Sequence, residues 1–163
     1  MTRDPISEAH RQWVSHGWAE AADGMAMVTS VVRAQQLLME RIDAVLRPRE
    51  LTFARYEVLR LLSFARAGAM PMSRLGSLLQ VHPTSVTSAV DRLVAQGYVE
   101  RVRSDEDKRV VRAVLTDSGR DAVEGATAAL NGEVFATPGL PEVDVRDLTD
   151  RLTALRTGLG DAF

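Results

Sequence analysis

The sequence predicts a mainly α protein with one small β-wing. Three observations carry the prediction. Apolar residues recur at three- and four-residue steps through several long stretches of the 163 residues. The period drops to two in a single region, residues 98–115. Just before that region, a short helical stretch and a longer one are joined by a tight Val81-His82-Pro83 connection.

The elements follow in order. From about Trp18 to Leu46, Met25, Val28, Val31, Val32, Leu38, Met39, Ile42, Val45 and Leu46 keep helical spacing. Pro48 disfavours the α conformation at Arg47 and ends the helix. A helix that long, with apolar residues on more than one side, needs a partner, for which a second subunit is the natural source. A second helix runs from about Thr52, its N-cap, to Arg66, with Gly68 as its stop. Ala69-Met70-Pro71 is a short extended piece, and Ser73 caps a third helix from Arg74 to Gln80. The fourth helix, Pro83 to Gln96, starts with proline at its first position, where no hydrogen bond is lost, and ends at Gly97.

Tyr98–Arg103 and Val110–Leu115 then alternate as strands around the polar connector 104–109, which reads as a β-hairpin with a long loop. Thr116 or Asp117 starts a helix that continues to about Val134. Pro138-Gly139-Leu140-Pro141 is a turn cluster, and a last helix spans about Val143 to Leu159. The N-terminal stretch is polar and reads as an arm rather than a signal peptide. No apolar run approaches the ~18 residues of a membrane span, so the expected location is the cytoplasm and no membrane partner is expected.

Helix, tight turn, helix, hairpin is the order of a winged helix-turn-helix, here embedded in an all-helical dimerisation body. Such a unit suits duplex DNA: a helix enters the major groove, and a projecting hairpin reaches the neighbouring minor groove. The net charge of −2 argues against this only as an average. Residues 48–116 carry +4, whereas 1–47 and 117–163 together carry −6. Lys108 is the only lysine, so the basic surface is almost wholly arginine, the side chain suited to bidentate and minor-groove contacts. On the helix 83–96, Val86, Ala89, Val90, Leu93 and Val94 form an apolar side. Thr84, Ser85, Ser88 and Arg92 lie opposite, with Thr87 near the boundary. The small hydroxyl residues permit close approach to bases or phosphates, although they also suit the first turn of any helix. In the wing, Arg101 and Arg103 lead in and Lys108-Arg109 return, and Asp107 is placed to hold an arginine by a charge-assisted hydrogen bond.

Asp91-Arg92-Leu93, Gly97-Tyr98-Val99-Glu100-Arg101, Asp107-Lys108-Arg109, Val114-Leu115-Thr116 and Gly119 together resemble the signature of the MarR family of winged-helix regulators. The resemblance extends over the helical order from about 18 to 159. It implies a homodimeric transcriptional regulator, most often a repressor, that reads a pseudo-palindromic operator in double-stranded DNA. The implied division is an N-terminal arm and dimerisation helix (1–47), the DNA-binding winged domain (48–116) and C-terminal dimerisation helices (117–163). The implied DNA-binding residues are Thr84, Ser85, Thr87, Ser88 and Arg92 on the helix and Asp107, Lys108 and Arg109 on the wing. Ser88 and His82 depart from the family pattern, which more often has a basic residue and an acid or serine there.

The resemblance also implies a small-molecule effector, such as a phenol, an aromatic acid or an acyl thioester. Its ligand-binding positions map to Trp13, His16, Trp18, Phe53 and Tyr56. Packing of the N-terminal arm is the other reading of those aromatics. Arg55 and Arg66 are positions from which an acidic ligand could be paired. No catalytic or metal-ligating residues and no cofactor are expected. The chain has no cysteine, its three histidines lack metal spacing, and no phosphate-binding loop or nucleophile motif occurs. The rival to the DNA reading is a helical dimeric interaction or scaffold module that does not bind DNA.

Overall fold

The structure, a computed structural model, describes residues 4–79 and 81–161. Seven helices and three strands are described: α1 (Pro5–Ser15), α2 (Ala19–Leu46), α3 (Phe53–Phe64), β1 (Ala69–Pro71), α4 (Met72–Leu79), α5 (Pro83–Ala95), β2 (Val99–Arg103), β3 (Val111–Leu115), α6 (Asp117–Leu130) and α7 (Glu142–Gly158). The expected mainly α fold with a small β-wing is what the structure shows. Two compact units divide it, Met1–Ala44 and Val45–Phe163. The second unit holds the winged region together with α6 and α7. Among the described residues no helix is long and apolar enough to cross a membrane.

In the first unit, residues expected to form an arm are a regular helix. Asp4 caps α1, accepting from the Ile6 and Ser7 amides at 3.3 and 3.1 Å. Those contacts, led by the Ser7 hydroxyl, hold its carboxyl below the usual range. Pro5 occupies the first helical position. The Asp4-Pro5 pair is the legible start signal. No α1 residue is fully buried, and Ile6, Ala9 and Trp13 share its half-buried side. His16 ends α1, its ring Nδ1 2.7 Å from the Gln12 carbonyl, and Gly17 turns the chain with φ +84°.

The second unit is built around α3. Thr52 caps it, its hydroxyl accepting from the Arg55 amide at 3.3 Å. Pro48 falls in a single 3₁₀ turn, Arg47–Arg49, after α2 has ended. Val58, Leu59 and Leu62 of α3, Leu75 of α4, Val86, Val90 and Leu93 of α5, Val99 and Ala113 of the sheet and Val123, Ala126 and Leu130 of α6 are all buried. At roughly 1.5–3 kcal/mol for each fully buried large apolar side chain, this shared core dominates the lobe's stability. The third helix starts at Met72, two residues before the expected Arg74 and directly where β1 ends, so Ser73 lies within the helix and does not cap it; its expected end at Gln80 lies outside the described residues.

The sheet is antiparallel in the order β1-β3-β2. β3 is central: Arg112 stands opposite Pro71 on one side and Val102 on the other. The joint behind the wing is tight. Gly97 adopts φ +76°, and the Tyr98 carbonyl accepts from the Thr116 amide at 3.1 Å. Thr116 caps α6, accepting from the Gly119 amide at 3.0 Å while its hydroxyl donates to the Gly97 carbonyl at 2.7 Å. A Cβ at Gly119 would stand 2.1 Å from the Tyr98 carbonyl oxygen, so only glycine fits there. The motif residues Gly97, Tyr98, Thr116 and Gly119 are thus one structural joint. Beyond Leu130 the chain continues for one wide π-type turn, Asn131–Phe135.

Candidate nucleic-acid interface

α4 and α5 form the helix-turn-helix pair, and α5 presents its polar side outward. Thr84, Ser85, Thr87, Ser88 and Arg92 are all exposed, whereas Val86, Val90 and Leu93 are buried. His82 does the work of the acid or serine more usual at this position. Its Nδ1 accepts from the Thr84 amide at 3.2 Å, so it caps α5. The first-turn hydroxyls sit where a helix N-terminus favours anions.

A groove of about 670 Å³ runs along this side, lined by Thr84, Ser85, Ser88 and Arg92 of α5 and by Thr52 and Arg55 at the start of α3. Arg55, expected from the sequence as a position for pairing an acidic ligand, lines this groove. Its guanidinium donates to Gln96 Oε1 at 3.1 Å, and Gln96 in turn donates to the Glu50 carbonyl at 2.9 Å. The signal that could have found it is its place three residues after a helix cap, at the positive end of α3.

The wing carries Asp107, Lys108 and Arg109, all exposed. Asp107 does not hold an arginine side chain as expected. Its carboxylate accepts from the Arg109 backbone amide at 2.9 Å, and its carbonyl accepts from the Val110 amide at 2.9 Å. A short aspartate bonding two residues ahead shapes the turn itself, which leaves the Arg109 guanidinium unengaged at the tip. The carboxylate that does fix an arginine is Asp91, 2.6 Å from Arg101 Nη1. Arg101 Nη2 also donates to the Thr87 carbonyl at 3.4 Å. This contact ties the base of β2 to the outer side of α5.

Helix face, arginine-tipped wing and the tie between them are the parts of a double-helix reader. A family model described as the MarR family matches residues 51–111. The HTH-type transcriptional regulator YhbI of Bacillus subtilis (strain 168) is 32% identical over 124 residues, covering 74% of this chain and 79% of that protein. The chain belongs to the MarR family. The structure of Sco5413, a MarR family transcriptional regulator from Streptomyces coelicolor, is 43% identical with a TM-score of 0.76, covering 85% of this chain and 96% of that one. A mutant MarR from E. coli, solved in complex with operator DNA, is 25% identical with a TM-score of 0.74, covering 83% of this chain and 96% of that one. This MarR-family protein is accordingly a transcriptional regulator rather than an enzyme.

The expected effector residues of the regulator fall into two clusters, one in each compact unit. Trp13 and Trp18 meet edge to face with centroids 5.4 Å apart, and His16 stacks on Trp18 at 5.8 Å. Trp18 is 55% exposed. In the other unit Phe53 and Tyr56 stack at 6.0 Å. They line a hollow of about 370 Å³ with Glu57, Arg60 and Phe135. The Tyr56 hydroxyl lies 3.1 Å from Thr127 Oγ1, to which Arg60 Nη1 also donates at 3.0 Å. Arg60 Nε is buried with no partner. Burial pushes the Glu57 carboxyl up. Among the described residues no cluster of three or more acidic or histidine side chains could hold a metal ion.

Proposed function

We propose that this regulator is a cytoplasmic homodimeric repressor that binds a pseudo-palindromic operator. The observation that carries the reading is the exposed polar side of α5 beside an unengaged Arg109 at the wing tip. The operator-bound relative supports it. In this reading Thr84, Ser85, Thr87 and Ser88 meet the major groove, and Arg92 and Arg55 meet phosphates. Lys108 and Arg109, on the turn made by Asp107, enter the minor groove. Residues 1–47 and 117–163 supply the dimer body and 48–116 the reading head. One chain has one head, so a palindrome needs two copies, with their α5 helices about 34 Å apart.

A phenol, aromatic acid or acyl thioester is the proposed effector, with Phe53 and Tyr56 and the Trp13–His16–Trp18 cluster as the ligand-binding residues. Such a molecule releases DNA only by binding the released state more tightly than the bound one. Sequencing the DNA fragments that co-purify with the full chain tests the operator reading. The expected result is a two-fold motif with half-sites separated by about one helical turn. Fragments with no shared motif would contradict it and favour a scaffold role.

A further inference from the structure

A second groove in the winged unit lies apart from the α5 groove, with no lining residue in common. It has a volume of about 470 Å³, within the range of roughly 300–1,000 Å³ typical of small-molecule sites. Its apolar wall includes Leu61, Phe64 and Leu78, and its charged rim is Arg66, Arg74 and Arg112. No carboxylate lines it.

The three arginines come from three elements. Arg66 follows the end of α3, Arg74 lies on α4, and Arg112 stands on β3 opposite Pro71. Several arginines elsewhere are engaged, Arg11 with Glu8, Arg55 with Gln96, Arg60 with Thr127 and Arg101 with Asp91, and those without a partner on α5 and the wing, Arg92 and Arg109, belong to the proposed DNA-facing side. The side chains of Arg66, Arg74 and Arg112 have no hydrogen-bond or ion-pair partner among the described residues. Three like charges gathered without a counter-charge repel one another, and an anion relieves that repulsion.

The apolar side is equally unspent. Phe64 is 74% exposed, yet its ring is held in place by the Arg60 guanidinium 4.4 Å from its centroid. Leu78, 48% exposed, faces the same groove. A held aromatic ring beside free guanidinium groups selects a molecule with a flat apolar part and a compact, doubly charged head.

We propose that this groove binds a phosphate monoester of an aromatic or similarly flat apolar group, with the phosphate on Arg66, Arg74 and Arg112 and the apolar part against Phe64 and Leu78. Phosphate presents three oxygens to planar, bidentate guanidinium donors, which a monocarboxylate does not. The bound molecule bridges β3, the wing's return strand, to α4, the first helix of the helix-turn-helix pair. The groove adjoins the Phe53–Tyr56 hollow, sharing Leu61 and Leu78 with it, but its arginine rim is its own. Its ligand binding does not depend on the operator reading and is measured without DNA.

The test is isothermal titration calorimetry of the full chain with 1-naphthyl phosphate, 1-naphthol and inorganic phosphate. Saturable binding of 1-naphthyl phosphate is expected, with each fragment at least about tenfold weaker. The double variant Arg74→Gln/Arg112→Gln is expected to lose about tenfold or more, in line with removal of charge-assisted hydrogen bonds. Phe64→Ala is expected to shrink the preference for naphthyl phosphate over inorganic phosphate. All these side chains are exposed, so the variants should keep the parent's circular dichroism and unfolding midpoint. The double variant Arg92→Gln/Arg109→Gln, on α5 and the wing, is expected to bind 1-naphthyl phosphate like the parent. Undiminished binding by Arg74→Gln/Arg112→Gln would overturn the proposal. So would loss confined to Arg92→Gln/Arg109→Gln, which would place the anion on the α5 face, and so would equal affinity for inorganic phosphate.

Discussion

Between Val45 and Leu130, the apolar faces of α3, α5, α6 and β3 are spent within one chain, leaving Leu59, Leu62, Val90, Leu93, Ala113 and Val123 with no exposed surface, whereas α7 buries no residue. The first unit is built differently. Among its described residues only Ala22 and Ile42 are buried, whereas Val28, Val32 and Leu38 of the regular helix α2 are 40–55% exposed. Both regions have the same helical spacing of apolar residues. The difference is that the winged lobe carries its own core, while α2 leaves its apolar residues exposed in the single chain. Burying such a stripe against another helix is what makes a long amphipathic helix stable. This contrast supports the proposed homodimer, in which each self-sufficient reading head is joined to a helical surface completed by the other copy.

The contrast can be broken most severely on α2. Val32→Asp with Leu38→Asp should leave the winged lobe folded and the chain monomeric by sedimentation velocity. Affinity for a palindromic operator should then fall on the order of a thousandfold, towards the non-specific level. A persisting dimer would show that α2 is not the dimer surface. The next largest effect belongs to the joint behind the wing. Gly119→Ala forces a Cβ against the Tyr98 carbonyl, and should cost about 3 kcal/mol in urea unfolding of the lobe. Arg109→Ala should leave stability and dimerisation untouched. It should weaken operator binding about tenfold and lower the salt slope by about one, by fluorescence anisotropy at fixed salt.

Smaller effects sharpen the comparison. The Asp91–Arg101 pair is part-exposed, with side chains 58% and 32% accessible. A double-mutant cycle should therefore give a coupling in stability below about 1 kcal/mol, with a larger coupling in operator affinity because the pair fixes the wing. Glu57 gives the smallest effect. Burial raises its carboxyl above the ordinary value, so its contribution is fully present below the unfolded value and is lost as pH rises through the folded one. Glu57→Gln should therefore be slightly more stable than the parent at neutral pH. The gain should vanish below about pH 4, as read by thermal unfolding.

Much of this molecule is legible in its residues. Pro83 after His82, Thr52, Thr116 and Gly97 announce the boundaries of α3, α5 and α6, because caps and stops are local chemistry. The hairpin is legible because its period differs from everything around it. Helix α1 is written more faintly: Ile6, Ala9 and Trp13 keep three- and four-residue steps behind the Asp4-Pro5 start, but they are few among polar neighbours and none is fully buried. Long-range partners are also beyond reach. Asp107 and Asp91 are both aspartates near arginines in sequence. Only the folded chain shows that the first shapes a turn and the second, ten residues from Arg101, makes the ion pair. The free arginines of the second groove, spread from 66 to 112, converge only once β1 pairs with β3.

In the proposed function the winged lobe is an electrostatic reader of duplex DNA within a chain whose net charge is −2. The most direct measurement is the affinity of the full chain for a co-purified operator duplex across a salt series. Engagement of six or more phosphates predicts a slope of log affinity against log salt of about −5 or steeper. A flat dependence with millimolar binding would contradict the account.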